Sequence, residues 1–432
     1  MKKSIENKLE ISQQAFSSWK NTSWKKKQKL IKNLANILDF NAENFGEIIT
    51  KEMNKPITQA TAEVKKCALM ANYYADMKPQ LQIEKVKTDF AISEIHYVPK
   101  GIILGVMPWN FPFWQVLRFA IPAILAGNVV VLKHASICLE SGNTIQKIFE
   151  EAGFPKGIFM HLEINHEEVE ELLAHDYIQG VSFTGSEFAG GKIAATAGRN
   201  IKKSLLELGG SDGFIVLDDA NLQEAAKVGA LARLQNCGQT CVAAKRFIIH
   251  KKVAKDFMKL FIAEYQKFIP ADPTKADTKI AGMARPDLAV DLMKQYKKAL
   301  KNKATIILPL EKIAEGILKP GLIEVKPGNP ILQEELFGPL GMVMFAKNDE
   351  EALKMANDIP FGLANSIWTG DKKRQKYFVE NLESGTVNIN KMTSSVPNLP
   401  FGGMKKSGYG TELSYHTLQE FVNIKTIVGK NS

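Results

Sequence analysis

Short apolar runs alternate with longer stretches of helical pattern through much of the chain. Aliphatic runs occupy residues 101–106, 128–133, 158–163, 181–186 and 204–209, and a segment with apolar positions at helical spacing follows each of the first four. Strands that are apolar throughout and are joined by helices are typical of a parallel sheet covered on both faces. The pattern therefore predicts an α/β fold with a parallel sheet in this part.

A second series of apolar runs follows farther along the chain. A helical pattern over residues 221–234 separates the first two of them. The runs lie at residues 214–219, 246–250, 305–310, 341–345, 366–370 and 386–390. They predict a second α/β unit, and residues 4–80 are predicted to be mostly helical.

Two segments that are distant in sequence alternate apolar and polar residues, namely 89–98 and 420–428. Such alternation is typical of exposed strands, whose free edges are templates for further pairing. The two strands are therefore predicted to pair with each other or to extend the sheet of a neighbouring subunit.

Composition narrows the class of protein. With 432 residues, 45% of them hydrophobic and 24% charged, the chain is not disordered or fibrous. Its longest apolar stretch, residues 119–132, is broken by Pro122 and Gly127 and is too short to span a bilayer. The sequence has four cysteines, which argues against a disulfide framework and favours a reducing compartment. We therefore expect a cytoplasmic protein that has no membrane partner.

The net charge of +10 arises partly from lysines crowded between residues 2 and 32. Apolar residues recur beneath them at helical spacing, which indicates a solvated helix face. The alternative, a patch that binds nucleic acid or a membrane, is not supported, because neither an aromatic-interleaved basic motif nor zinc-finger spacing occurs. The sequence thus predicts no nucleic-acid partner. His161, His166 and His175 match no metal-ligand spacing, so no metal site is predicted.

Three residue types suited to catalysis stand at the ends of predicted elements. Cys241, in a glycine-containing loop at 236–246, is either an inert core thiol or a nucleophile. Glu207 ends an apolar strand before two glycines, where a carboxylate is costly unless it is paired or acts as a general base. Asn110 either offers amide donors to an oxyanion or caps the turn that follows it.

A fourth segment, FTGSEFAGG at 183–191, reads as strand, glycine and helix. Backbone amides at such a helix start can face a phosphate group. By itself this signal is weak, because the chain contains neither GxGxxG nor a Walker A motif.

Taken together, five motifs make a family resemblance recognisable. They are MPWNFP (107–112), LELGG (206–210), NCGQTC (236–241), EELFGP (334–339) and PFGG (400–403). In this order they resemble the aldehyde dehydrogenase superfamily, and the resemblance runs from about residue 10 to residue 428. KHAS (133–136), CVAAKRFI (241–248), MARPDL (283–288) and PFGGMKKSGYG (400–410) are similar to the short bacterial succinate-semialdehyde dehydrogenases.

The resemblance implies a role for each candidate catalytic residue. The thiolate of Cys241 attacks the aldehyde carbon, and the side-chain amide of Asn110 with the backbone N–H of Cys241 stabilises the oxyanion. Hydride transfer to a nicotinamide then leaves a thioester on Cys241. Glu207 activates the water that hydrolyses it. An acylating, coenzyme A-dependent relative would need the cysteine but no such base.

The resemblance also implies the cofactor site. The contacts carried over are Trp109, Asn110, Lys133, Ser136, Gly185, Ser186, Leu208, Glu335 and Phe337. In relatives that prefer NAD, a glutamate stands at the position of Ser136 and repels a 2′-phosphate. Lys133 and Ser136 here offer a charge and a hydroxyl, which favours NADP, with NAD as the alternative cofactor. The other interpretation is that Ser136 merely permits both cofactors.

Two residues are implied to bind the substrate. Arg118, eight residues after Asn110, matches the arginine with which succinate-semialdehyde dehydrogenases hold the substrate carboxylate, and Ser395 precedes PFGG on the facing loop. From its chemistry alone, Arg118 would be a surface arginine in a salt bridge, but its apolar neighbours Leu117, Phe119 and Ala120 indicate a partly dry environment. Cys237, four residues before Cys241, is either a packed side chain or a partner for a reversible disulfide that masks the nucleophile.

The predicted fold is aldehyde dehydrogenase-like, with a parallel-sheet cofactor domain, an α/β catalytic domain and a small β oligomerisation arm. The predicted segments are 1–88 and 99–209 (cofactor domain), 210–392 (catalytic domain), 89–98 and 418–432 (arm), and 393–417 (return to the cofactor domain and the active-site mouth). The predicted function is oxidation of succinate semialdehyde, or a similar short semialdehyde, by a homodimer or homotetramer. The alternatives are a broader-specificity aldehyde dehydrogenase and a catalytically silent binding protein.

Overall fold

The computed structural model describes residues 2–430, so residue 1 of the predicted cofactor domain and residues 431–432 of the predicted arm lie outside the described part. The helices are Lys3–Trp19 (α1), Trp24–Phe40 (α2), Ala42–Met53 (α3), Ile57–Ala75 (α4), Trp114–Leu125 (α5), Leu139–Glu151 (α6), His166–Ala174 (α7), Glu187–Arg199 (α8), Leu222–Leu234 (α9), Ala254–Tyr265 (α10), Pro286–Lys301 (α11), Asp349–Asn357 (α12) and Lys372–Asn381 (α13). The strands are Glu84–Lys85 (β1), Ile92–Pro99 (β2), Ile102–Met107 (β3), Val129–His134 (β4), Phe159–His161 (β5), Ile178–Thr184 (β6), Lys203–Glu207 (β7), Asp212–Val216 (β8), Ala244–His250 (β9), Thr305–Leu308 (β10), Glu311–Ala314 (β11), Ile317–Lys319 (β12), Gly321–Glu324 (β13), Leu340–Ala346 (β14), Phe361–Gly362 (β15), Ala364–Trp368 (β16), Thr386–Ile389 (β17), Met404–Lys405 (β18), Gly408–Tyr409 (β19) and Val422–Gly429 (β20).

The first sheet has six strands in the order β19-β7-β6-β3-β4-β5. All neighbouring strands are parallel except β19, which runs antiparallel to β7. Every residue of β3 and β4 is buried, as expected of strands rich in valine and isoleucine whose two faces are both covered. The parallel sheet predicted from the first series of apolar runs is thus confirmed.

The second sheet has seven strands in the order β10-β13-β14-β9-β8-β16-β17. Its strands are parallel apart from β10, an antiparallel edge strand. The sequence pattern missed β13, because its four residues follow Pro320 directly and make too short a run to stand out. The α/β character of this half is confirmed.

Each sheet has its own hydrophobic core. One core is built mainly from residues 5–208 and the other from residues 214–382. The chain crosses from one core to the other through Gly209 and Gly210, directly after Glu207. Residues Leu363, Phe401 and Leu413 return to the first core, so segments from the end of the chain also border the region between the two cores.

The two alternating segments form a separate small sheet. Strand β2 pairs antiparallel with β20 over their whole length, from Ile92 opposite Gly429 to Pro99 opposite Val422, and β1 joins as a third strand. Pairing of the two distant segments with each other is therefore confirmed. Ile92, Ile424 and Val428 of this sheet are exposed. Between residues 2 and 430 no helix is long and apolar enough to cross a membrane.

Candidate active site

The site lies where the strand order of the first sheet reverses. From β3 the chain continues to β4 on one side, and β6 then pairs on the other side of β3. At such a switch point the loops after the carboxyl ends of neighbouring strands diverge and leave a crevice in which ligands bind. Trp109 and Asn110 follow β3, and Gly185 and Ser186 follow β6.

A cavity of about 250 Å³ occupies this crevice. It brings together most of the residues predicted to contact a cofactor, and the catalytic cysteine. These are Trp109, Asn110, Gly185, Ser186, Leu208, Cys241, Glu335 and Phe337. The predicted residues thus come from both halves of the chain and meet between the two cores.

The walls of this cavity are held by specific contacts. The Trp109 and Phe337 rings meet edge to face with their centroids 5.8 Å apart. Ser186 caps α8 by accepting a hydrogen bond from the Ala189 N–H and also lines the cavity, so the start of α8 borders the crevice. Glu335 accepts a hydrogen bond from the Gly210 N–H at 3.2 Å and pairs with Lys245 at 3.1 Å. A helix start beside aromatic walls suits the pyrophosphate and ring systems of a dinucleotide.

Lys133 and Ser136 lie apart from the lining of this cavity. Lys133 is buried in the last part of β4, whereas Ser136 is exposed in the turn that follows. Burial lowers the pKa of Lys133. Within residues 2–430 its ammonium has no ion-pair partner. A buried lysine without a carboxylate partner can take an anionic group of a bound ligand as its partner.

The loop that carries Cys241 is strained and tightly held. After α9, residues Asn236, Cys237 and Gly238 take positive φ values of 52°, 54° and 70°. Only glycine fits at the third position, since a Cβ there would lie 2.5 Å from the carbonyl oxygen of Gly338. A positive φ costs conformational energy in residues other than glycine, and it persists only where surrounding contacts hold the backbone in place. Such strained positions are often found at functional sites.

Lys245 supplies such contacts from within β9. Its Nζ donates to the carbonyl oxygens of Thr240 at 2.9 Å and Cys241 at 2.6 Å, and it also pairs with Glu335. The strand thus fixes the backbone on which the Cys241 thiol stands. Sequence reasoning missed this residue, although two adjacent cations in an otherwise apolar strand were a signal of buried, paired charge.

The Cys241 side chain is partly exposed and borders two cavities, the crevice described above and a second one. Burial raises the pKa of the Cys241 thiol to about 12, against the opposing charges of Lys245 and Arg118. Burial therefore favours the protonated thiol over the thiolate in this site. Cys237 is a free, buried thiol that belongs to the second core, and burial raises its pKa to about 12 as well.

Asn110 connects the loop after β3 to the Cys241 loop. Its Nδ2 donates to the Gln239 carbonyl at 3.0 Å, and its own carbonyl accepts from Lys55 Nζ at 2.8 Å and Asn236 Nδ2 at 2.9 Å. A side-chain amide has two N–H donors, so one remains for an oxyanion. The capping alternative does not describe this helix start, because the Glu63 carboxylate accepts from the first N–H groups near α5.

Glu207 is buried at the end of β7. Its Oε1 has no hydrogen-bond partner within the described residues. Burial first, and then the negative charge of Glu412, raises the pKa of Glu207 well above its ordinary value, while Arg118 lowers it. Glu207 also raises the pKa of Cys241, which indicates that the two groups interact. A carboxyl with a raised pKa is suited to accept a proton as a general base.

The second cavity, of about 270 Å³, lies on the other side of Cys241. Its lining includes both predicted substrate residues, Arg118 and Ser395. Arg118 is buried, forms an ion pair with Glu412 and lies over the Phe401 ring, 4.8 Å from its centroid. Arg118 thus forms a salt bridge, but a buried one and not the surface one that was the alternative, and it also lies on the cavity wall.

Three residues of this region were not found by sequence reasoning. Gln115 borders both cavities, Glu412 pairs with Arg118, and Lys66 lines the second cavity beside Ser395. Lys66 lies far from the recognisable motifs, and Glu412 follows PFGGMKKSGYG (400–410) but is distant in sequence from Arg118. No spacing rule could relate them to Cys241 before the fold was known. Among the described residues, no group of histidine, cysteine or acidic side chains is arranged to hold a metal ion.

Comparisons with known proteins agree with this arrangement. The aldehyde dehydrogenase family model matches residues 1–427. A Synechocystis protein named probable succinate-semialdehyde dehydrogenase, NADP(+), is 43% identical over 431 residues, covering 98% of this chain and 94% of that protein. Succinate semialdehyde dehydrogenase, NAD(P)+, of Escherichia coli K12 is 40% identical over 427 residues, covering 98% and 92%.

Solved structures give the same result. The crystal structure of succinic semialdehyde dehydrogenase from Streptococcus pyogenes, in complex with NADP+, matches with a TM-score of 0.96 at 36% identity. The match covers 100% of this chain and 96% of that chain. The family resemblance drawn from the sequence motifs is confirmed.

Proposed function

Because the chain belongs to the aldehyde dehydrogenase family, we propose that it oxidises succinate semialdehyde, or a similar short semialdehyde, to the carboxylate with NADP+ as hydride acceptor. The observation that carries this proposal is the position of Cys241 between two cavities. One is lined by the residues expected to contact a dinucleotide, and the other contains cationic side chains that suit an anionic aldehyde. The similar proteins bearing this activity in their names support the same substrate.

The residues around Cys241 account for each chemical step. The Cys241 proton passes to water, and the resulting thiolate sulfur bonds to the aldehyde carbon, whose oxyanion accepts hydrogen bonds from Asn110 Nδ2 and the Cys241 N–H. The cofactor, when bound, accepts the hydride of the former aldehyde carbon, and a thioester remains on Cys241. Glu207 then takes a proton from water as the water oxygen attacks the thioester. The carbon–sulfur bond breaks, and carboxylate and free thiol are released.

Preference for NADP+ is attributed to Lys133 and Ser136. A 2′-phosphate at the end of β4 would meet the unpaired ammonium of Lys133 and the exposed hydroxyl of Ser136. Neither residue carries the negative charge that would repel this phosphate. NAD+ remains an alternative hydride acceptor, bound without that contact.

Assembly and location complete the proposal. The exposed apolar side chains on the small sheet of β1, β2 and β20 support its role as an oligomerisation arm in a homodimer or homotetramer. The four free thiols fit a reducing cytoplasm. The first sheet and its core would form the cofactor domain, and the second sheet the catalytic domain.

The proposal is tested by a substrate screen that follows reduction of each cofactor. Succinate semialdehyde, glutarate semialdehyde, butanal and benzaldehyde would be compared with NADP+ and with NAD+. We expect kcat/KM to be highest for succinate semialdehyde with NADP+. Equal values for charged and uncharged aldehydes would instead favour a broader-specificity aldehyde dehydrogenase.

A further inference from the structure

Among residues 2–430, one cation of the second cavity, Lys66, takes part in no ion pair. We propose that Lys66 binds the carboxylate of the semialdehyde and sets the preference for an anionic substrate. This inference deepens the proposed function and rests on it.

Lys66 is held on the wall of the cavity by two contacts. It lies on α4 and lines the same cavity as Cys241, Arg118 and Ser395. Its Nζ donates to the Ser395 hydroxyl at 3.0 Å and lies 4.1 Å from the centroid of the Trp114 ring. Both partners are electrically neutral, so they orient the ammonium but leave its charge uncompensated.

The other cations of this cavity are already paired. Lys55 is buried and forms an ion pair with Glu63. Arg118 forms its ion pair with the buried Glu412. Within residues 2–430, Lys66 has no acidic partner of this kind. Of the three cations in the lining, Lys66 therefore contributes the unbalanced positive charge.

The surroundings of Lys66 make an anion favourable there. Burial lowers the pKa of Lys66 to about 8, and the charge of Arg118 acts in the same direction. The thiols of Cys67 and Cys241 and the carboxylate of Glu63 act in the opposite direction. A partly desolvated ammonium has lost hydration, and an incoming carboxylate can replace the lost contacts with a charge-assisted hydrogen bond. Ser395 would add a neutral hydrogen bond to the same carboxylate.

The test compares Lys66→Met with Lys65→Met. Lys65 is the adjacent residue on α4 but is exposed and lies outside the cavity lining, so it controls for loss of a lysine from this helix. Initial rates would be measured with succinate semialdehyde and with butanal, which has a similar length but no carboxylate. Lys66→Met should raise KM for succinate semialdehyde roughly ten- to a hundredfold, as expected for loss of a charge-assisted hydrogen bond. For butanal, KM and kcat of Lys66→Met should stay within about twofold of the wild type, because butanal has no carboxylate to lose a hydrogen bond. For both substrates, KM and kcat of Lys65→Met should also stay within about twofold, because Lys65 is exposed and lies outside the cavity.

Rescue separates a binding role from a structural one. Lys66→Arg keeps the positive charge and should restore most of the affinity for succinate semialdehyde, whereas Lys66→Gln, of similar length but neutral, should not. If Lys66 only supported the Ser395 loop, succinate semialdehyde and butanal would lose activity together. Parallel losses of this kind would overturn the inference.

A measurement on the wild-type enzyme tests the inference without any substitution. As pH rises through about 8, Lys66 loses its charge. The ratio of KM for succinate semialdehyde to KM for butanal should therefore rise, and this rise should be absent in Lys66→Arg. A wild-type enzyme that does not prefer succinate semialdehyde over butanal would overturn the proposed function and this inference with it. A clear wild-type preference that survives in Lys66→Met and Lys66→Gln would overturn the inference alone.

Discussion

Replacing Arg118 by methionine should destabilise the protein as well as impair substrate binding. Arg118 and Glu412 form a buried ion pair, with 3% and 1% of these residues exposed. Removal of one partner leaves the other charge buried and uncompensated, which typically costs about 3–5 kcal/mol. At about 2–4 °C per kcal/mol for a domain of 150–250 residues, Tm should fall by roughly 6–20 °C. The assay is thermal unfolding of Arg118→Met beside the wild type.

The double variant Arg118→Met, Glu412→Leu distinguishes instability caused by an uncompensated buried charge from instability caused by lost packing in the core. Replacement of a whole buried pair by apolar side chains is often neutral or stabilising, so the double variant should recover most of the lost Tm. With stability restored, KM for succinate semialdehyde should remain raised if the guanidinium also contacts the substrate. A single variant as stable as the wild type, or a double variant that is no more stable than Arg118→Met, would refute the reasoning from the ion pair.

Three further substitutions test the remaining parts of the site. Glu207→Gln should give a burst of reduced cofactor and then stall, because only hydrolysis of the Cys241 thioester needs the base; steady turnover near the wild-type rate would contradict this assignment. Ser136→Glu should shift the ratio of kcat/KM toward NAD+ by about tenfold or more, equivalent to about 1.4 kcal/mol; a wild-type enzyme that uses NAD+ as efficiently as NADP+ would refute the electrostatic argument. Burial raises the pKa of Asp212 to about 7 from an unfolded value near 3.8, so the folded protein holds the Asp212 proton more tightly than the unfolded chain does. The resulting contribution to the free energy of unfolding is fully present below pH 3.8 and is lost as pH rises through about 7. Asp212→Asn should therefore flatten the fall in unfolding free energy between about pH 4 and 7, and denaturant titrations that show the same dependence on pH as the wild type would count against that explanation.

The sequence identified the elements whose residues carry a local signal. Strands such as β3 and β4 are apolar at every position, and the motifs around Asn110, Glu207 and Cys241 are contiguous in the chain. Contacts between distant segments carry no such signal. The pairing of Arg118 with Glu412 is an example, because it depends on how the end of the chain packs on α5.

The sequence pattern also could not predict which charged side chains are buried. Lys55 and Glu63 lie on or next to α4, where helical spacing alone would assign them to a solvated face. In the structure they are buried, and Glu63 accepts hydrogen bonds from the N–H groups of Phe113 and Trp114. The helical spacing within α4 does not reveal that the N–H groups at the start of α5 need the carboxylate of Glu63 as their acceptor.

The Cys241 loop is fixed from both cores at once, and this has a consequence for how the protein matures. Asn110 holds the Gln239 carbonyl from the first core, and Lys245 holds the Thr240 and Cys241 carbonyls from the second sheet. Neither half alone therefore provides the complete environment of the thiol. A chain that is only partly synthesised, or only partly refolded, would carry Cys241 without the donors and charges that make it react selectively with aldehydes. The environment of Cys241 is therefore complete only when both halves have docked and the substrate and cofactor cavities exist around it.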